Sequence, residues 1–492
     1  MGIVSNSSIK FSIILFAGIG LGYINTVLIF PNVLTEEEFG LTRILMSASA
    51  VIAQIAQLGS GNIIVRFHPH LKTDKTNTTL SIGLIISLIG LALASLFLFL
   101  FDDYVVSMYQ EKSALFSRYF YLLLPFMASL IFYNLFDSYL RVIFKNSVPA
   151  FLNFILLRVF WLVVVLLYYF GFLGLTSFIN IYVGCQLLIA LIALGYMAYL
   201  KQLNITFRFS DEKIQLIKSM YRFGLYTIIS GLSVFLINRI DILMVGKYIG
   251  LEGVAIYSIA FYISTVVMVP AQSISRTSNV LASDAAKNND HSTLNRLYKK
   301  SALNQFLFCA LIFTLIIVNY HNLMHFLPDT YHNSFTVFLL LGFAKIVETG
   351  FGINGAIILN SKYYRVDTAL SLFLLILTIL TNLYFIPLYG IEGAALATMI
   401  SVVTFNILRY LFIKVKMNLS PFTLEYLGIV LLLTASTLLA YIMPSITSVY
   451  IDILLRSMLL VVLSVPAIYM LNLSPDFNKV VDGFTGFFYK VK

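Results

Sequence analysis

The chain has 492 residues, 60% of them hydrophobic and 11% charged, with a net charge of +10 and a mean hydropathy of +0.92. Soluble domains carry roughly 25% charge, so these proportions exclude an ordinary water-soluble globule. The apolar stretches are long and continuous rather than alternating. Helices rather than barrel strands are therefore expected to satisfy the backbone in lipid.

The first such stretch, Ile9–Pro31, is longer than a signal-peptide core, and Thr35-Glu36-Glu37-Glu38 follows it where a small-residue cleavage site would stand. It reads as a membrane span. Further spans are predicted near 41–65, 78–101, 116–140, 148–170, 175–200, 219–245, 252–275, 300–320, 334–359, 366–387, 391–413, 422–443 and 450–472. The expected class is an all-α polytopic membrane protein of about fourteen transmembrane helices. Both cysteines, Cys185 and Cys309, fall inside spans, so no disulfide framework is expected.

Lysine and arginine set the orientation. With the N-terminus inside, 24 of the 32 cations fall in inner connections and 5 in outer ones, namely Arg43, Lys112, Arg118, Lys247 and Arg456. Arg158, Arg239 and Lys345 remain within spans. The alternation predicts cytoplasmic termini and explains the positive charge without nucleic acid. The outer connections are short and lean acidic (Glu36, Glu37, Glu38, Asp102, Asp103, Glu111), leaving no room for an outer enzymatic domain.

Three markers repeat in order: Leu34–Glu37 with Ile249–Glu252, Phe144-Lys145 with Ser361-Lys362, and Gly171–Gly174 with Gly390–Gly393. Their offsets are 215, 217 and 219 residues. Two parallel six-span lobes follow, at 1–215 and 216–416, with two further spans and a cytoplasmic tail at 417–492. Lobes of this kind suggest alternating access around a path between them.

Ionisable groups at membrane depth usually face a cavity or a partner. Span two carries Arg43, Ser47, Gln54, Gln57 and Gly61 on one stripe, and span eight, its repeat mate, carries Ser258, Tyr262, Thr265, Gln272 and Arg276. Span one presents Gly18, Gly22 and Asn25, and span seven presents Gly224, Gly231 and Asn238, flanked by Arg239 and Asp241. These four spans are expected to line a wet cavity, with helix packing as the competing explanation of the small residues. Lys345 and Glu348, three residues apart in span ten, can neutralise each other. Asn134, Asp137 and Arg141 share a face of span four, from which Asp137 could reach Arg158 of span five. His321, His325 and His332 form no HExxH arrangement, so no metal site is expected, and there is no phosphate loop of the Lys-Ser/Thr type. No cofactor is expected; transport would draw on an H+ or Na+ gradient or on the substrate gradient, with Asp241, Glu348 and Asp137 as candidate coupling groups.

The run Asn238-Arg239-Ile240-Asp241 through Val245-Gly246-Lys247-Tyr248-Ile249-Gly250 to Val254-Ala255-Ile256-Tyr257 resembles the seventh-to-eighth span region of bacterial polysaccharide flippases. Leu34–Gly40 resembles their first outer loop, and Tyr389–Thr398 the start of their twelfth span. These flippases belong to the multidrug/oligosaccharidyl-lipid/polysaccharide exporter superfamily. The resemblance implies an O-antigen or capsule-repeat flippase of the bacterial inner membrane, without enzymatic activity, serving lipopolysaccharide or capsule biosynthesis. It would move an undecaprenyl-diphosphate-linked oligosaccharide across the bilayer, beside a polysaccharide polymerase and glycosyltransferases. By position, Arg43, Arg239 and Arg276 match the family's cationic cavity, with Arg66, Arg158 and Lys345 as further candidates; arginine forks suit phosphate oxygens. Two departures bear on substrate. The first span holds no arginine, unlike the lipid II flippase branch, and no acidic residue, unlike many cation-coupled multidrug exporters, the alternative reading. A membrane polymerase or ligase would be expected to carry a larger outer loop.

Overall fold

The computed structural model describes residues 2–68, 77–205, 218–224, 235–237, 239–288, 290–444 and 446–490, with side chains from 13 to 483. Among the described residues all regular structure is helical. The chain forms two compact units, Met1–Ser258 and Ile259–Lys492.

The N-terminal unit begins with α1 (Gly2–Tyr23), which passes through a π-helical turn, Ile24–Ile29, into α2 (Phe30–Val33). The next helices are α3 (Glu36–Ala56), α4 (Ser60–Phe67), α5 (Thr78–Leu100), α6 (Asp102–Gln110), α7 (Ala114–Arg118) and α8 (Leu123–Val142). Then come α9 (Ser147–Phe151), a second π turn at Leu152–Leu156, α10 (Leu157–Tyr169), α11 (Leu175–Tyr199), α12 (Ile240–Tyr248) and the first half of α13 (Leu251–Val266). The acidic run after Leu34 has a local explanation. Thr35 caps α3 with a reciprocal pair: its Oγ1 accepts from the Glu38 amide at 3.3 Å, and Glu38 Oε2 accepts from the Thr35 amide at 3.0 Å. Glu36, Glu37 and Glu38 place negative charge on the helix's positive end.

The C-terminal unit holds α14 (Val269–Lys287), α15 (His291–Met324), α16 (Phe335–Gly350), α17 (Asn354–Leu359), α18 (Tyr364–Met417), α19 (Glu425–Ile442), α20 (Val449–Met470) and α21 (Pro475–Lys490). At 54 residues, α18 would be roughly 80 Å long as a straight rod, against about 30 Å of hydrocarbon. It turns at Gly390, whose φ of 62° and ψ of −136° are open only to glycine. This is where spans eleven and twelve are expected to divide.

Ten helices among the described residues are long and apolar enough to cross a bilayer, and Leu251–Val266 with Val269–Lys287 adds an eleventh as one bent span. Two expected crossings are not continuous helices of that kind. The span near 334–359 is broken at Gly352, with φ of 56°. The span near 219–245 includes residues 225–234, which lie outside the described residues.

Glycine sets several close helix approaches. A Cβ added to Gly90 of α5 would lie 1.7 Å from the Ala56 carbonyl oxygen, whereas one added to Gly184 of α11 would meet no atom within 4 Å. Gly90→Ala is expected to lower the melting temperature of the detergent-solubilised protein or block folding. Gly184→Ala is expected to hold or raise it, in line with about 0.5–1 kcal/mol of helix preference. Equal melting temperatures for the two variants would contradict the tight α3–α5 approach.

Candidate functional site

Both π turns of the N-terminal unit fall within membrane-crossing helices, and such turns recur at functional sites. They belong to spans one and five, which press together through small residues. A Cβ on Gly18 would sit 2.5 Å from Phe154 Cβ, and one on Gly22 would sit 2.7 Å from Arg158 Cζ. Gly22 thus opens the recess that seats the Arg158 guanidinium, which is also 5.7 Å from the Phe154 ring centroid. Asn25, 2% exposed, donates its Nδ2 to the Arg158 carbonyl at 2.7 Å. The Gly18–Gly22–Asn25 stripe is therefore the surface that receives span five.

Arg43 is 3% exposed. Its Nη2 donates to Tyr182 Oη and its Nε to Thr42 Oγ1, both at 3.2 Å. The guanidinium also lies over Phe39 at 5.2 Å and Phe30 at 5.5 Å. Tyr182 is held in turn: Trp161 stacks on its ring at 4.7 Å and donates Nε1 to its carbonyl at 3.0 Å. Aromatic faces and hydroxyls are thus among the groups that hold this cation.

Span two meets span seven and the start of span eight at two levels. Towards one end, a Cβ on Gly40 would lie 2.0 Å from the Leu251 carbonyl oxygen, and one on Gly246 would lie 2.3 Å from Ile44 Cδ1. There Ser113 Oγ donates to the Gly246 carbonyl at 2.6 Å, and Tyr109 Oη to the Leu243 carbonyl at 3.2 Å. Towards the other end, a Cβ on Gly59 would lie 2.5 Å from the Gly224 carbonyl oxygen. Ile63 packs with Met220, and Arg66, exposed, lies over Phe223 at 4.2 Å. Between these levels Arg239 Nη1 donates to Ser47 Oγ at 3.5 Å. Asp241, 3% exposed, accepts from Tyr257 Oη at 2.6 Å. Gln54 and Gln57 are half-buried, and the Gln57 amide nitrogen is enclosed without a hydrogen-bond partner. Asn238 lies outside the described residues. Asp137 pairs with Arg141 on its own helix at 2.5 Å, rather than reaching to Arg158.

In the C-terminal unit Gln272 and Arg276 are exposed on α14, and Tyr262 is half-buried. Lys345 and Glu348 form the i,i+3 pair at 3.3 Å. Two further pairs were not among the sequence candidates. Arg409 meets Asp367 at 2.5 Å, and a Cβ on Gly355 would lie 2.8 Å from its Nη1, so this arginine too is seated against a glycine. Arg456 meets Asp452 at 2.7 Å and donates to the Ala440 and Met443 carbonyls at 2.9 and 2.8 Å, which end α19. Asn322 of α15 donates to the same Asp452 carboxylate at 2.5 Å. Among the described residues no group of three or more metal-ligating side chains occurs.

A family model described as polysaccharide biosynthesis protein matches residues 6–277, more than half of the chain. The chain belongs to this family. A second model, MatE, matches residues 227–388. Both fall within the multidrug/oligosaccharidyl-lipid/polysaccharide exporter superfamily. Among solved structures, the fold resembles a lipid II flippase, MurJ, in an inward closed conformation. That likeness has a TM-score of 0.74 and 14% identity, covering 94% of this chain and 99% of that one. An inward-facing multidrug resistance transporter of the MATE family gives 0.63 and 17%, covering 84% and 98%. A point mutant of the Vibrio cholerae MATE transporter VcmN gives 0.58 and 14%, covering 85% and 98%. At these identities the likeness carries the fold alone. No curated protein matches this chain. Family and fold point to a membrane transporter rather than a catalyst.

The Arg456–Asp452 pair yields a stability test. Removing one member of a buried pair strands the other and costs about 3–5 kcal/mol. Arg456→Ala and Asp452→Ala are each expected to lower the melting temperature by more than the double variant Arg456→Met/Asp452→Leu. If the double variant is the least stable of the three, the pair contributes net stability and the expectation fails.

Proposed function

We propose that this chain is a flippase that carries undecaprenyl-diphosphate-linked oligosaccharide repeat units from the inner to the outer leaflet of the bacterial inner membrane, supplying O antigen or a related surface polysaccharide. The observation that carries the reading is the set of arginines within apolar spans, Arg43, Arg158 and Arg239, in a chain of the polysaccharide biosynthesis family. Sustained charge at that depth is expensive. An anionic headgroup gives it a use, since guanidinium forks match the oxygens of a diphosphate. The similarity in fold to a lipid II flippase supports a lipid-linked substrate. Arg276, Arg66 and Lys345 complete the proposed cationic set, with Asn25, Gln54, Gln57, Asn238, Tyr262 and Gln272 as its polar surroundings. The polyprenyl tail would stay in the bilayer while the headgroup passes.

The proposed topology has fourteen spans, cytoplasmic termini and two pseudo-equivalent lobes. In that frame the Gly40–Leu251 and Gly246–Ile44 contacts belong to the outer side, and Gly59–Gly224 with the Phe223 cluster to the inner side. Alternating access then requires each closure to part in turn. Asp241, Glu348 and Asp137 are the proposed groups for H+ or Na+ coupling, and a polymerase and glycosyltransferases the proposed partners.

The MatE match over residues 227–388 favours one second reading, a cation-coupled multidrug exporter. A gene deletion separates the two. A flippase deletion abolishes surface polysaccharide and leaves drug sensitivity unchanged; an exporter deletion does the reverse.

Arg239→Ala/Arg276→Ala is expected to abolish surface polysaccharide at normal protein level, as seen by silver-stained gels or antibody labelling. Unchanged polysaccharide would remove these two arginines from the site. Because Gly22 provides the recess for Arg158, Gly22→Val should reproduce the transport loss of Arg158→Ala. Normal transport in Gly22→Val beside lost transport in Arg158→Ala would show that the seat is dispensable.

A further inference from the structure

The N-terminal unit contains a polar cleft of about 410 Å³ between the end of α8 and the beginning of span five. Its walls include Asn134, Asp137, Arg141, Asn146, Asn153 and Phe154. We infer that this cleft binds sugar residues of the lipid-linked substrate, an inference that rests on the flippase reading above.

The donor set is the first argument. An asparagine amide offers a donor and an acceptor in one plane, which matches a pair of neighbouring sugar hydroxyls. Three such amides converge here from segments that are otherwise apolar. The side chains of Asn134 and Asn153 hydrogen-bond no other protein group among the described residues, although both are half-buried. Polar groups placed in membrane helices without a packing partner are costly and tend to be functional.

The second argument is the backbone. Asn153 and Phe154 both belong to the π turn Leu152–Leu156, so the irregular segment is the one that supplies an amide and an aromatic face to the same cleft. Phe154 is fixed from behind by the close approach of Gly18. Tyr133 donates its hydroxyl to the Pro149 carbonyl at 2.7 Å, tying the first turn of span five to α8 and holding the floor of the cleft rigid. The negative face of a phenyl ring suits the C–H face of a pyranose.

The third argument is the charge at the rim. Arg141 and Asp137 pair at 2.5 Å, but their side chains are 58% and 25% exposed. Exposed pairs of this kind are weak. A ligand can therefore draw Arg141 to a phosphate and leave the Asp137 carboxylate to accept from a hydroxyl. In the proposed topology the cleft opens at the cytoplasmic end of spans four and five, where a substrate made in the cytoplasm arrives.

The test uses the full chain in lipid nanodiscs and two probes: the polyprenyl-diphosphate oligosaccharide pool extracted from the bacterium that makes this protein, and bare undecaprenyl diphosphate. Retained lipid is measured by mass spectrometry across a concentration series. The wild type is expected to hold the glycosylated pool about tenfold tighter than the bare lipid, a difference of about 1.4 kcal/mol. Asn134→Leu/Asn153→Leu should erase that preference and leave bare-lipid binding unchanged. Asn134→Ala/Asn153→Ala reads the same difference if the leucine pair does not fold. A preference that survives the folded variant, or a wild type that holds both probes equally, overturns the sugar subsite while leaving the flippase reading in place. A wild type that binds neither probe overturns the flippase reading, and the subsite with it.

Discussion

A guanidinium cannot be neutralised by losing its proton, so an arginine carried into a bilayer must be met where it lies. Much of this structure follows from how that demand is satisfied. Arg43 is held by hydroxyls and aromatic faces. Arg158 lies in a recess left by Gly22, and Arg409 in one left by Gly355 while facing Asp367. Arg456 combines a carboxylate with the carbonyls at the end of a neighbouring helix. The glycines and aromatics around these groups are better understood as answers to the charge than as generic packing. A methyl group at Gly22 or Gly355 would occupy the volume the cation needs.

The same economy appears where span two meets span seven and the start of span eight. The segments around Leu34–Glu37 and Ile249–Glu252 lead into helices that touch through Gly40 and Leu251. Glycine lets the backbones come close, and Ile44 and Val254 pack onto Gly246. The other junction, at Gly59 and Gly224, adds an apolar cluster of Ile63, Ile82, Ile86 and Met220.

Local features were readable from the chain itself. Apolar length placed most of the membrane-crossing helices, though not the break at Gly352, and Gly390 marked the turn inside α18. The run after Leu34 is a capping box, so part of what makes that loop recognisable is the chemistry of starting a helix. Lys345 and Glu348 paired as their spacing allowed. Partnerships between distant helices were not readable. Arg409 sits near the end of span twelve and Asp367 at the start of span eleven, and nothing in either neighbourhood signals that they meet. Arg456, counted among the outer cations, is buried because it closes the end of α19 and holds Asp452. The π turns left no trace either, because one residue in excess does not disturb the apolar length by which the spans are found, even with Asn25 and Asn153 inside the turns.

The chain has a single tryptophan, Trp161, and it lies flat against the tyrosine whose hydroxyl holds Arg43. Indole emission shifts with the local electric field, and here a full positive charge stands one ring away. Any anion that draws this guanidinium toward itself would recolour the fluorescence, so the protein carries its own optical gauge of what happens in span two, with no dye and no engineered label.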